Sequence, residues 1–219
     1  IGPEVGRIIV VDDACPEGSG KVVQAGCADP RVVVLFHDVN LGVGGAVMTG
    51  YRHALAAGAR VIVKLDGDGQ MDPALLPRFT APLLAGEADY TKGNRFHDLR
   101  HIRRMPALRL CGNAVLSFLN KISTGYWDIF DPTNGYTAIS RRALELLDPG
   151  MISRNFFFET SMLAELHKLD AVVEDVPIPA IYNDQGSAIR ITEVPAGTYH
   201  VIASDNNGML RTAHFVKLQ

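Results

Sequence analysis

Three short β-branched runs dominate the first 90 residues: Ile8-Ile9-Val10-Val11, Arg31-Val32-Val33-Val34-Leu35 and Arg60-Val61-Ile62-Val63-Lys64-Leu65. Polar or glycine-rich turns follow each run, and helical periodicity follows the turns, as over 45–57. Strands apolar on both faces and separated by helices predict a parallel, right-handed α/β sheet. Pro73 sits where a first-turn proline is tolerated, which predicts a helix over 74–84. A chain of 219 residues with 47% hydrophobic side chains can bury such a core in one domain plus a small appendage.

In such sheets ligands bind beyond the carboxyl ends of the strands. Two acidic clusters fall there: Asp12-Asp13 closes the first run, and Asp66-Gly67-Asp68-Gly69-Gln70 closes the third, so both are expected to face one crevice. A more helical section follows over about 99–182, with apolar spacing through 107–118 and 156–166. Between these stretches Asp131-Pro132-Thr133-Asn134-Gly135-Tyr136 reads as a turn into the short strand Thr137-Ala138-Ile139. After about Ser187 the texture changes to three alternating strands around 189–192, 198–202 and 212–216, the pattern of antiparallel hairpins.

The formal charge of −3 gives no global basic field, so nucleic acid is not an expected partner and any anion site must be local. Cys15, Cys27 and Cys111 form neither a disulfide framework nor a Cys-x-x-Cys zinc pattern, which makes a reducing compartment the default. No run approaches the roughly 18 apolar residues of a membrane span, and no signal sequence is evident. The chain opens with Ile1, which reads as a processed product or a fragment.

The sharpest chemical signal is Asp66-Gly67-Asp68. Two carboxylates flanking a glycine at a strand end can ligate a hard divalent cation, which then bridges to phosphate oxygens. Its surroundings resemble those of family 2 glycosyltransferases with the GT-A fold, close to the branch of polyprenyl-phosphate sugar transferases. The resemblance is carried, in order, by Ile9-Val10-Val11-Asp12-Asp13, Asn40-Leu41-Gly42-Val43-Gly44-Gly45-Ala46, Asp66 through Pro73, Lys92-Gly93-Asn94-Arg95-Phe96, Asp131 through Tyr136, and Glu174-Asp175-Val176-Pro177-Ile178-Pro179. It covers about residues 5–187.

The resemblance implies an inverting transfer of a hexose from a UDP- or GDP-sugar, with a polyprenyl phosphate favoured over a saccharide hydroxyl as acceptor. Asp13, with Asp12 beside it, would hold the nucleoside, since a carboxylate accepts from base N–H groups or ribose hydroxyls. Asp66, Gly67 and Asp68, helped by Gln70, would hold the donor diphosphate through Mg²⁺ or Mn²⁺. Arg95, which follows a strand expected over 88–91, suits an anionic phosphate. Arg100, Arg103 and Arg104, beside His97 and His101, form a basic loop able to close over phosphates. A hydroxyl acceptor needs a base, for which Asp131 and Glu159 are the candidates. A lipid phosphate needs none, because it is already largely ionised at neutral pH.

The resemblance also implies a cytoplasmic enzyme, peripheral to the inner face of the membrane. Two departures stand against it. The family's first strand, with its nucleotide-binding segment, has no counterpart before Ile8, so the sheet is expected to lose a strand and expose pairing groups on its neighbour. The domains are therefore an N-terminally truncated glycosyltransferase-like domain over 1–187 and a β-hairpin appendage over 188–219. That appendage resembles the C-terminal sorting module of type IX-secreted bacterial proteins, which points to secretion and conflicts with a cytoplasmic site.

Two rival readings remain. Gly42-Val43-Gly44 between a strand and a helix, with Asp66 some 20 residues on, suits a dinucleotide-binding oxidoreductase, although the third glycine of the fingerprint would fall at Val47. The absent strand and the foreign tail suit an inactive binding module of the same fold.

Overall fold

A computed structural model of the chain describes residues 1–67, 71–97, 117–118, 121–155 and 157–179, together with two later strands, Gly197–Ser204 and Leu210–Lys217. The first two β-branched runs form β1 (Ile8–Asp12) and β2 (Val32–Phe36), paired in parallel from Ile8 opposite Val32 to Asp12 opposite Phe36. Helix α1 (Ser19–Gly26) connects them. Helix α2 (Val43–Ala56) buries Gly44, Met48, Tyr51 and Ala54, one face at helical spacing, and leads into β3 (Val61–Lys64). The Asp72 carboxylate accepts from the Ala74 amide and caps a 3₁₀ turn, Pro73–Leu75. Helix α3 (Leu76–Ala85) follows, buries Leu76, Phe79 and Leu83, and ends at Gly86, whose φ of 75° is the left-handed C-cap that glycine adopts freely.

The helix expected over 74–84 is thus present, with its first turn wound as 3₁₀. The strand expected over 88–91 lies two residues later as β4 (Tyr90–Asn94). Its polar residues Lys92 and Asn94 are buried, which hydropathy cannot register. After β5 (Thr137–Ser140) come α4 (Arg141–Leu146), α5 (Phe158–Lys168) and β6 (Val173–Pro177).

These strands form a second sheet in the order β3-β5-β4-β6. The expected α/β layering is present, but this sheet is mixed: β5 runs antiparallel to both β3 and β4, while β4 and β6 are parallel. The reason lies just before β5. Asp131 is held to Arg95 beyond the C-terminal end of β4, so the chain enters the sheet from the crevice end and must run down it. Successive β5 residues then serve opposite faces, as a strand's period of two requires. Ile139 joins Tyr51, Phe158, Met162 and Leu166 on one side, and Ala138 joins Phe79, Leu83 and Val176 on the other. Tyr136, just before β5, stacks on Phe79 with ring centroids 3.9 Å apart.

Among the described residues β1 pairs only with β2, and β3 only with β5, so each keeps one open edge. Helix α2 packs against both strands. The two later strands, β7 (Gly197–Ser204) and β8 (Leu210–Lys217), pair antiparallel, as the tail's alternation predicts. The expected strand at 189–192, most of the helical stretch 107–118 and the expected boundary near 187 lie outside the described residues. No described helix is long and apolar enough to cross a membrane.

Lys92 is fully buried, and burial pulls its pKa from 10.5 down to about 8, against the opposing pull of Glu159 and Asp131. Between about pH 8 and 10.5 the unfolded chain therefore binds a proton that the folded chain has released, and stability rises with pH. Tyr51, whose pKa burial pushes up to about 12, acts in the opposite sense above pH 10, where the unfolded chain loses its proton first. Urea unfolding should show a gain of about 2 kcal/mol between pH 8 and 10 and a decline beyond. Lys92→Met should remove the gain; an equal gain in that variant would contradict the assignment.

Candidate functional site

A cavity of about 2620 Å³ lies between β1 and β3 and reaches the C-terminal ends of both, where Asp12, Asp13, Lys64, Asp66, Gly67 and Glu159 line it. Asp12, Asp13 and Asp66 therefore share one crevice. Gly135 and Thr133, from the turn before β5, also line it.

The centre of the crevice is Lys64, the last residue of β3. Its ammonium has three donors and three partners: Asp66 Oδ1 at 2.9 Å, Gly135 O at 3.1 Å and Glu159 Oε1 at 3.1 Å. Asp66 follows Lys64 by two residues and so leaves the strand on the same side. Glu159 comes from the first turn of α5, 95 residues on, where a carboxylate also favours the helix dipole. Burial lowers the pKa of Lys64, but the two carboxylates outweigh it and hold the ammonium above the ordinary lysine value. The cluster thus carries two negative charges against one positive.

Asp66 is the most open of the three, with its side chain 39% exposed and one oxygen bound to Lys64. A Cβ on Gly135 would come within 2.2 Å of Asp66 Oδ2 and 2.7 Å of Lys64 Nζ. Only glycine lets the turn approach the carboxylate this closely.

Asp12 and Asp13 divide their work. Asp12 is buried and accepts from the amides of Cys15 and Gly20, each at 2.7 Å, which fixes the loop into α1. Asp13 holds the approach to α2, accepting from the amides of Leu41 and Gly42, each at 2.8 Å, while His37 Nδ1 lies 2.6 Å from its Oδ1. His37 Nε2 in turn lies 3.0 Å from Thr49 Oγ1. A carboxylate has about four lone-pair sites. Asp13 Oδ2 has a single hydrogen-bonding partner among the described residues, and the side chain borders the cavity.

Asp131 and Arg95 meet each other. Arg95 donates Nε to Asp131 Oδ2 at 2.7 Å and Nη2 to Oδ1 at 3.0 Å, a bidentate pair, and its own amide also reaches Oδ2. Asn134 adds a further donor at 3.2 Å. Asp131 is fully buried, and neither partner lines the cavity. Asp131 and Arg95, expected as a base and a phosphate site, are brought together here as an ion pair that clamps the turn 131–136. Lys92 holds the same turn from below, donating to Asn134 O at 2.6 Å.

Asp68, Gln70, Arg100, Arg103 and Arg104 lie outside the described residues. Among the described ones no group of three His, Cys, Asp or Glu residues is placed to hold a metal ion unaided. The donor set nevertheless fits Mg²⁺ or Mn²⁺ on a diphosphate. Such ions take one or two carboxylates and complete their shell with substrate phosphates and water, and Asp66 presents one such oxygen over the bare Cα of Gly135.

The oxidoreductase fingerprint does not form a phosphate cradle. Gly42 has a φ of 82°, and a Cβ on it would lie 2.4 Å from Arg154 O. The amide of Gly44 donates to that same carbonyl at 2.9 Å, so the start of α2 is packed on backbone rather than open to a pyrophosphate.

Sequence reasoning passed over Lys64 and His37. A lysine closing an apolar strand two residues before a paired-carboxylate motif was the available signal for the first; nothing local marked the second.

The model of the Glycosyl transferase family 2 matches residues 3–147. The UDP-N-acetylglucosamine–dolichyl-phosphate N-acetylglucosaminyltransferase of Methanococcus voltae is 29% identical over 206 residues, covering 87% of this chain and 80% of its own length. The undecaprenyl-phosphate mannosyltransferase of Micrococcus luteus is 31% identical over 183 residues, covering 83% and 74%. The crystal structure of M. tuberculosis glucosyl-3-phosphoglycerate synthase superposes with a TM-score of 0.56 at 21% identity, over 82% of this chain; this chain spans 62% of that structure.

Removing the Lys64 charge while keeping its length, as in Lys64→Met, leaves Asp66 and Glu159 without their shared counter-ion. Urea unfolding should register a loss of about 3–5 kcal/mol, part of which returns in Lys64→Met/Glu159→Gln. A loss below about 1 kcal/mol would show that the carboxylates do not depend on the ammonium.

Proposed function

The chain belongs to glycosyl transferase family 2, and from that premise we propose that it moves a hexose from a UDP- or GDP-sugar to a polyprenyl phosphate, with inversion at the anomeric carbon. The observation that carries this reading is the single cavity lined by Asp13, Asp66 and Glu159. Asp13 takes the nucleoside through the spare lone pairs of Oδ2. Asp66 Oδ2, with Asp68 as the resemblance implies, faces the diphosphate. A divalent cation, when bound, offsets the negative charge that gathers on the leaving nucleoside diphosphate. Lys64 keeps Asp66 aimed and adds its own positive charge beside the same group.

In the transfer, an acceptor phosphate oxygen bonds to the anomeric carbon as the bond from that carbon to the nucleoside diphosphate breaks. The phosphate arrives ionised and needs no general base. This suits a crevice in which Glu159 is tied through Oε1 to Lys64 and Asp131 is buried in an ion pair. With a saccharide hydroxyl as acceptor, Glu159 is the carboxylate on the cavity wall and takes the place of the base.

The names of the relatives, which act on dolichyl and undecaprenyl phosphate, support a lipid phosphate acceptor and a place against a membrane surface. The cytoplasmic face is part of the same proposal.

Calorimetric titration with UDP- and GDP-sugars should give binding that depends on Mn²⁺ and weakens at least tenfold in Asp66→Asn and in Asp68→Ala, with circular dichroism unchanged. Metal-dependent binding that survives both substitutions would remove the assignment. With radiolabelled donors, polyprenyl phosphate should be glycosylated and soluble saccharides should not. No transfer to any acceptor, with donor binding intact, would favour the inactive binding module.

A further inference from the structure

We infer that His37 sets which base the nucleoside end of the crevice accepts: a pyrimidinedione, uracil or thymine, whose ring carries a single imide N–H, in preference to guanine, which presents two adjacent donors. The inference rests on the proposed transfer from a nucleoside diphosphate sugar and narrows the class of its donor.

An ionised carboxylate accepts through about four lone-pair sites, two on each oxygen. At Asp13 three of them are taken by N–H donors of the chain itself. Oδ1 accepts from His37 Nδ1 at 2.6 Å and from the Leu41 amide at 2.8 Å, and Oδ2 accepts from the Gly42 amide at 2.8 Å. Among the described residues one site remains, on Oδ2. Asp13 lines the cavity and His37 does not, so His37 acts through Asp13, as a positioning residue behind the carboxylate.

The direction of the His37 bond is fixed from both sides of the ring. Asp13 can only accept, so Nδ1 carries the hydrogen. Nε2 lies 3.0 Å from Thr49 Oγ1, and that oxygen accepts from Arg52 Nη2 at 3.3 Å. With one lone pair engaged by Arg52, the Thr49 hydroxyl turns its hydrogen to Nε2. Donation then runs from Arg52 through Thr49 and His37 to Asp13, which keeps the ring hydrogen on Nδ1. A second proton on the ring would leave Nδ1 donating as before, so Oδ1 is filled in either charge state.

Guanine offers N1–H and N2–H side by side, and a carboxylate meets such a pair with one oxygen for each. With Oδ1 filled, Asp13 can meet only one of them, and the other gives up water without gaining an acceptor. A pyrimidinedione asks for one acceptor, at N3–H, flanked by ring carbonyls that need donors. Asn40 has one to give: it lines the same cavity, and its Nδ2 spends one of two hydrogens on Asp13 O at 3.1 Å. Donors and acceptors at this end of the crevice therefore match a single imide edge.

Calorimetric titration of the whole chain with UDP, dTDP and GDP in Mn²⁺ tests this. The tighter of the two pyrimidine nucleotides should bind at least about tenfold more strongly than GDP, and 3-methyl-UDP, which lacks the imide hydrogen, at least about tenfold more weakly than UDP. His37→Phe fills the space of the ring without its donor and frees a lone pair on Oδ1. With circular dichroism unchanged, its preference over GDP should shrink at least about fivefold. His37→Asn returns an N–H near the position of Nδ1 and should restore the preference. GDP bound as tightly as UDP and dTDP by the unaltered chain, or 3-methyl-UDP bound as tightly as UDP, would overturn the inference and leave the transferase reading standing. An undiminished preference in folded His37→Phe would overturn the role of His37. Binding of none of the three diphosphates would remove the transferase reading itself, and the inference with it.

Discussion

The crevice depends on one ammonium group. Lys64 sits at the end of a strand where the surroundings have excluded most of the water, a position that disfavours charge. It stays charged because Asp66 and Glu159 stand within 3.1 Å, and its third donor meets the carbonyl of Gly135. Each contact ties a different element to β3: the strand's own continuation, the turn before β5, and the first turn of α5. Loss of the ammonium would leave two carboxylates in repulsion across the crevice.

The turn 131–136 is the second half of the construction. Arg95 grips Asp131 from the end of β4, Lys92 grips Asn134 O from within the sheet, and the Asn134 side chain accepts from the Tyr136 amide. Buried networks of this sort are costly when half satisfied and rigid when complete. Their product is a glycine backbone pressed against Asp66 Oδ2 at the cavity wall. Asp13 does the corresponding work on the other wall, where its contacts with Leu41 and Gly42 fix the loop that begins α2.

Much of this is legible in the sequence. The β-branched runs marked β1, β2 and β3, and the acidic pairs marked strand ends that do share a crevice. The same residues placed the chain beside family 2 glycosyltransferases, to which it belongs. What stayed hidden was pairing across long separations. No local pattern joins Lys64 to a glutamate 95 residues away, or shows that Arg95 and Asp131 neutralise each other. The polar strand β4 lies two residues beyond its expected position for the same reason: Lys92 and Asn94 are buried by partners that lie far off in sequence.

The central claim is that a doubly charged cation and a nucleoside diphosphate meet at Asp66. Paramagnetic broadening by Mn²⁺ measures this without reference to turnover. With a nucleoside diphosphate sugar present, amide resonances of Asp66, Gly67 and Gly135 should broaden first, with those of Asp13 and Gly42 shifting at the nucleoside end. Broadening centred on another acidic surface such as Asp148, with the Asp66 and Gly135 signals unchanged, would contradict the account.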